Sequence, residues 1–202
     1  MPLWLAPDPL LLASRSSGRK TLLEAAGIPV EVYPANLDER GLEAGAKLSA
    51  PDMNAAMLAR AKALAVARLH PGRLVLGADQ TLALGTDRFV KPADRAAACA
   101  QLRALSGRTH ELHSAIAFVK DATPLFEYSG TARLTMRAFS DHFLDLYLDA
   151  IETAATESVG GYQLEAVGAQ LFERVDGDYF TIVGLPLLHA LEFLRRCGCL
   201  LA

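Results

Sequence analysis

Ser14-Arg15-Ser16-Ser17-Gly18-Arg19 puts small hydroxyl residues and a glycine ahead of a helical stretch, with an arginine beside them. Backbone N–H groups and the positive end of a helix dipole converge at such a place, which suits a phosphate. The same residues also suit a plain capped helix, with serines chosen for the turn; at this point both readings stand. Asp79 follows the apolar run Leu74-Val75-Leu76-Gly77-Ala78. A carboxylate there is costly unless it is paired, binds a metal or works as a base. The plain alternative is an exposed aspartate at a strand end. Lys62, in an alanine-rich stretch, and Lys91, before Pro92, each suit either phosphate contact or simple solvation. Asp38 and Glu39 suit metal ligation or loop solubility.

Other devices are missing. The chain has no Walker-type phosphate loop, no GxGxxG and no HExxH. His110 and His113 fall three apart in a predicted strand, which sends them to opposite faces and makes them a poor metal pair. Asp176 and Asp178 flank Gly177 and read as turn residues.

The elements that must position these groups follow from hydrophobic spacing. Residues 10–13 read as a buried strand and 20–26 as a helix that Gly27 ends. Residues 28–33 alternate like a strand and stop at Pro34. Pro51 and Asp52 open a helix reaching about residue 69. Residues 74–78 form the clearest buried strand; Asp79-Gln80-Thr81 interrupts it before 82–84. A turn near Gly85 returns the chain to 89–92. Residues 94–105 are helical, 112–119 and 131–139 read as strands, and Ser140 caps a helix to about 151. Gly160-Gly161 reads as a flexible loop. Residues 170–175 and 179–183 flank a hairpin signal at Asp176-Gly177-Asp178. Pro186 starts a last helix that buries Leu187, Leu188, Leu191 and Leu194. Alternating strands and helices with hairpins predict an α/β fold with a mixed sheet.

With 202 residues, 51% hydrophobic and 21% charged, the chain is one domain of residues 1–202, plain or built as two small lobes around one cleft, and is not disordered. Twenty basic against 23 acidic residues leave a net charge of −3. That excess argues against a general nucleic-acid or membrane-surface binder. No apolar run is long enough to span a membrane, and the apolar start lacks a basic leader, so a signal peptide is not expected. Three cysteines, Cys99, Cys197 and Cys199, are too few for a disulfide framework and fit a reducing cytoplasm.

Taken together, the segments resemble the Maf family of nucleoside triphosphate pyrophosphatases. The opening match is Leu12-Ala13-Ser14-x-Ser16-x-x-Arg19, then Leu22-Leu23, Gly27-Ile28 and Asp38-Glu39. Gly77-Ala78-Asp79, Lys91-Pro92 and Leu105-Ser106-Gly107-Arg108-x-His110 follow in order, as do Gly161-Tyr162 and Val183-Gly184-Leu185-Pro186. The resemblance implies an elongated α/β fold, a mixed sheet flanked by helices in two lobes around a central cleft, and a homodimer. It implies Asp79 as the catalytic carboxylate. Ser14, Arg19, Lys62 and Lys91 match its phosphate-handling positions, and Glu39 with Asp79 its metal position. The implied cofactor is Mg²⁺, Mn²⁺ or Co²⁺; carboxylate oxygens suit such ions. The family's usual Ser-Pro-Arg-Arg is replaced here by Ser16-Ser17-Gly18-Arg19, which loosens the loop and removes a side chain at Gly18 that helps define the base pocket.

The implied reaction converts a nucleoside triphosphate and water into the monophosphate and pyrophosphate, clearing non-standard nucleotides. Pyrophosphate leaves well once its charge is neutralised, so cations matter more than a covalent nucleophile. Gln80 and Glu165, with Leu171-Phe172-Glu173-Arg174 downstream, resemble the branch acting on 7-methyl-GTP more than the branch acting on dTTP and UTP. A carboxylate at Glu165 can accept hydrogen bonds from the N1–H and N2–H edge of guanine, whereas uracil and thymine offer one N–H between two acceptors. Two rivals remain at this level: a non-catalytic nucleotide-binding regulator of cell division and septum formation, and a phosphate-binding α/β domain that hydrolyses monoesters.

Overall fold

A stretch of three leucines sets the sheet. The computed structural model describes residues 3–46 and 50–202; Met1 and Pro2 of the apolar start lie outside the described residues. β1 (Leu10–Leu12) is wholly buried because it has a parallel neighbour on each side. β2 (Val30–Val32) pairs with it through Leu10↔Val30 and Leu12↔Val32, and β3 (Val75–Leu84) through Leu11↔Val75 and Leu12↔Leu76. Two further strands lie in the middle of the chain, β5 (Thr109–Lys120) and β6 (Thr123–Met136). β4 (Asp87–Phe89) and β7 (Phe172–Asp176) pair antiparallel with β3 and β6 respectively. The order is β2-β1-β3-β5-β6-β7, with β4 off that path on β3. Helices α1 (Ser17–Ala25), α2 (Glu39–Ala46), α3 (Pro51–Ala67), α4 (Arg95–Leu105), α5 (Asp141–Ile151), α6 (Tyr179–Val183) and α7 (Leu187–Arg196) complete the mixed α/β architecture.

The chain divides into two units. The first comprises Met1–Asp79, Ser114–Gly130 and Gly184–Ala202. Its core sets the small face of α3 (Ala55, Ala59, Ala63) against Leu11, Val75 and Ala117. Gly77 shows how close this packing is. A Cβ there would lie 2.1 Å from the Ala59 carbonyl oxygen and 2.7 Å from the Ala63 nitrogen. Only glycine lets the helix sit so near the strand, which explains both Gly77 and the alanines of α3. The second unit comprises Gln80–His113 and Thr131–Val183. Its core joins Leu102 and Leu105 of α4 with Leu144 and Leu148 of α5 and Leu134 of β6.

Several expectations change. β3 is one unbroken strand, so Asp79-Gln80-Thr81 does not interrupt it and Asp79 sits mid-strand rather than at an end. β5 and β6 are longer than expected and meet at Asp121 (φ 49°) and Ala122 (φ 59°). Both φ values are positive, the two-residue hairpin geometry that Asn-Gly usually announces and Asp-Ala does not. Gly160-Gly161 is a buried 3₁₀ turn, Val159–Gly161, not a flexible loop. Tyr179–Val183 is a helix, not a hairpin arm, because Asp178 caps it: its Oδ2 accepts from Thr181 N at 2.8 Å and Thr181 Oγ1 at 2.9 Å. Leu188 is 58% exposed, so the last helix does not bury it.

Candidate functional site

Side chains alternate along a strand, so Gly77 and Asp79 share the face of β3 that α3 covers. The close approach at Gly77 therefore brings Lys62, beside Ala63, over Asp79. Lys62 Nζ lies 2.6 Å from Asp79 Oδ1 and 3.0 Å from Glu39 Oε1. One ammonium thus bridges two carboxylates. Glu39 is held there by the start of α2. Asp38 caps that helix by accepting from Gly41 N at 3.0 Å, and Asn54 Nδ2 ties α3 to Glu43 Oε1 of α2 at 2.8 Å. Asp38 therefore works as a cap.

Asp79 is 8% exposed. Burial raises its pKa above the ordinary carboxylate value against the opposing pull of Lys62 and Arg19, with Glu39 adding to the rise. Its Oδ2 carries no hydrogen bond from the described residues. A raised pKa and an open oxygen suit a base that takes a proton from water.

Arg19 is held by acceptors of the protein itself. It is 8% exposed. Its Nε donates to Gly184 O at 2.8 Å, and its Nη1 donates to Ala78 O at 2.8 Å and Ser14 Oγ at 3.0 Å. The guanidinium clamps the end of β1, the middle of β3 and the segment before α7. Burial lowers its pKa, opposed by Asp79 and Glu39, yet a guanidinium stays charged. Nη2 is the nitrogen left open among the described residues. Ser14 is correspondingly a hinge of the turn, accepting from Ser16 N at 3.3 Å as well. Ser16 caps α1 by accepting from Arg19 N, and no acidic residue occupies the first turn. The positive end of α1 is thus uncompensated by side-chain charge.

The second unit holds the remaining predicted residues. Gln80 Nε2 donates to Ile182 O at 2.9 Å and Thr181 O at 3.2 Å, so its amide protons hold α6. Lys91 is exposed after β4, and Glu165 is exposed in the turn at 164–166. His110 Nε2 meets Tyr162 Oη at 2.7 Å in the buried core, and burial pushes His110 from 6.5 down to about 4. His113 pairs instead with Thr131 Oγ1 at 3.1 Å, so the two histidines make no metal pair.

Among the described residues no three metal-ligating side chains converge. Glu39 and Asp79 still offer two carboxylates to one cation position, a set that fits Mg²⁺ or Mn²⁺ completed by phosphate oxygens and water. The sequence reading missed the backbone acceptors Ala78 and Gly184 and the role of Gly77. The signal for Gly77 was available, since a glycine inside an apolar strand marks close backbone approach.

A family model described as Maf-like protein matches residues 9–197. The chain belongs to the Maf family. Among curated Maf-like relatives, a protein of Rhodopseudomonas palustris (strain ATCC BAA-98 / CGA009) named nucleoside triphosphate pyrophosphatase is 56% identical over 195 residues, 96% of each chain. One of Rhizobium etli named 7-methyl-GTP pyrophosphatase is 50% identical, covering 94% of this chain and 96% of that one. Among solved structures, a HAM1 protein from Coxiella burnetii aligns over 63% of this chain and 72% of its own, with 20% identity and a TM-score of 0.44. Among the described residues of this Maf-family chain, no helix is long and apolar enough to cross a membrane.

Proposed function

We propose that this Maf-family chain is a nucleoside triphosphate pyrophosphatase, releasing nucleoside monophosphate and pyrophosphate. The observation that carries the reading is the bridge of Glu39, Lys62 and Asp79, with Arg19 of α1 held on the carbonyl of Ala78 just before Asp79. Relatives with this name cover nearly the full chain at 56% identity. Asp79 orients the attacking water and takes its proton through Oδ2. Lys62 exchanges carboxylate oxygens for phosphate oxygens when the triphosphate enters. Arg19 holds the site's backbone in place and presents Nη2. Lys91 takes the phosphate-handling role that the family resemblance implies for it.

Glu39 and Asp79 would hold a divalent metal, which supplies further neutralisation of the triphosphate. Guanine selection by Glu165 belongs to the same proposal, supported by its carboxylate chemistry and by the 7-methyl-GTP name of the Rhizobium etli relative. A cytoplasmic setting is supported by three free thiols; a homodimer rests on the family resemblance alone.

The test is a panel of standard and modified triphosphates with Mg²⁺, Mn²⁺, Co²⁺ or a chelator, read as pyrophosphate and orthophosphate separately. Metal-dependent pyrophosphate release supports the reading. Orthophosphate release would point to a phosphatase, and binding without cleavage to a regulator.

A further inference from the structure

The C-terminal end of α7 carries a thiol pair that nucleotide hydrolysis leaves unused. Cys197 continues the helix, its N–H donating to Phe193 O at 2.9 Å. Gly198 then turns the chain in the left-handed region (φ 74°), with N–H to Arg195 O at 3.0 Å, and Cys199 N donates back to Leu194 O at 2.9 Å. A Cβ on Gly198 would meet nothing within 4 Å. The glycine is needed for its backbone conformation, not for space. Cys199 is fixed from its other side as well. Its carbonyl accepts from Leu5 N at 2.9 Å, Leu200 bridges Trp4, and Leu201 N donates to Leu3 O at 2.9 Å.

This anchored reversal brings both cysteines to one carbonyl: Leu194 O accepts from Cys199 N at 2.9 Å and from Cys197 Sγ at 3.5 Å. Cys197 is exposed and Cys199 half-buried. One glycine separates the two residues at a left-handed turn that keeps the chain short of full extension, and a disulfide spans Cα atoms about 4.4–6.8 Å apart. Cys99 is the third free thiol; it packs on the core of the second unit.

We propose that Cys197 and Cys199 form a reversible dithiol–disulfide couple, with Cys197 as the entry thiol and Cys199 as the resolving thiol. The co-reactant is a low-molecular-weight disulfide of the glutathione class. The Cys197 thiolate attacks one sulfur of that disulfide and expels the other half as a thiolate, leaving a mixed disulfide. Cys199 then gives up its proton and attacks the Cys197 sulfur, expelling the second half. Two protein thiols are oxidised and one small disulfide is reduced to two thiols, so protons and electrons balance. Burial, with the Cys197 contact adding to it, pushes the Cys199 thiol up to about 11. Cys199 is therefore protonated at neutral pH, which leaves the first attack to the exposed Cys197. A couple of this kind in a reducing compartment is transient and responsive rather than structural.

The test uses the whole protein, reduced and then exposed to oxidised glutathione at neutral pH, quenched by alkylation and read by intact mass and peptide mapping. The expected product is lighter by two hydrogens, has an internal link between Cys197 and Cys199, keeps Cys99 alkylatable, and reverts fully with excess reduced glutathione. Cys199→Ser is expected to stop at one glutathionyl group on Cys197. Any of three results overturns the proposal: a lasting glutathionyl adduct on wild-type Cys197 with Cys199 still alkylatable, a bond to Cys99, or no reaction at Cys197.

Discussion

Arg19→Lys separates a structural clamp from a phosphate ligand. The guanidinium makes three hydrogen bonds, at 2.8, 2.8 and 3.0 Å, to two backbone carbonyls and the Ser14 hydroxyl. An ammonium on a flexible stem keeps the charge but cannot reproduce the planar fork. At least two of the three acceptors then lose their donor. Charge-assisted hydrogen bonds contribute about 1.5–3 kcal/mol each, so the loss is about 3–6 kcal/mol. For a chain of this size 1 kcal/mol moves Tm by about 2–4 °C, so the expected drop is roughly 6–24 °C, measured by circular dichroism or calorimetry without nucleotide. Ser14→Ala, which removes one of the three acceptors, should give a smaller drop. If Arg19→Lys melts within about 2 °C of wild type while nucleotide binding collapses, the clamp is wrong and Arg19 serves the substrate alone.

Asp79→Asn should lower kcat by at least about a hundredfold with a native circular dichroism spectrum, and turnover near wild type would take Asp79 out of the chemistry; Lys91→Ala should instead raise KM and lower kcat together. His110 is neutral in the fold down to about pH 4, whereas the unfolded chain takes its proton near 6.5. Its contribution is therefore complete above pH 6.5 and lost as pH falls toward 4, a loss of about 3 kcal/mol; urea titrations should show the His110→Phe variant with a flatter acid limb, and an unchanged limb would contradict the assignment. Wild type should favour 7-methyl-GTP or GTP over dTTP and UTP by about tenfold in kcat/KM, or about 1.4 kcal/mol. Glu165→Gln should shrink that ratio by lowering the guanine value; a ratio that stays put removes Glu165 from base recognition.

Much of this was legible in the sequence because local chemistry and global fold agree there. The buried leucines of β1, the Pro51 start of α3 and the Asp94 and Ser140 caps each announce their element. Lys62, Glu39 and Asp79 each stand out in the sequence as separate candidates. Their convergence on one ammonium was not visible, since it depends on a helix-to-strand approach set by Gly77. The hold of Arg19 on two backbone carbonyls was not visible for a related reason: in sequence it looks like any arginine beside a serine-rich turn. The turn signal at Asp176-Gly177-Asp178 marks 179–183 as a hairpin arm, and the Asp178 cap makes it a helix instead. The 160–161 glycines spell flexibility in sequence because the burial of Gly160 against Leu82 and Tyr162, and of Gly161 against Ala98 and Leu102, is a tertiary fact.

The most direct test of the proposed chemistry follows the oxygen of the attacking water. Turnover of GTP or 7-methyl-GTP in ¹⁸O-labelled water, with mass spectrometry of both products, identifies the phosphorus that is attacked. The expected result is one labelled oxygen in the nucleoside monophosphate and none in the pyrophosphate, placing Asp79's water on the α-phosphorus. Label in the pyrophosphate, or in orthophosphate released beside a nucleoside diphosphate, would contradict it.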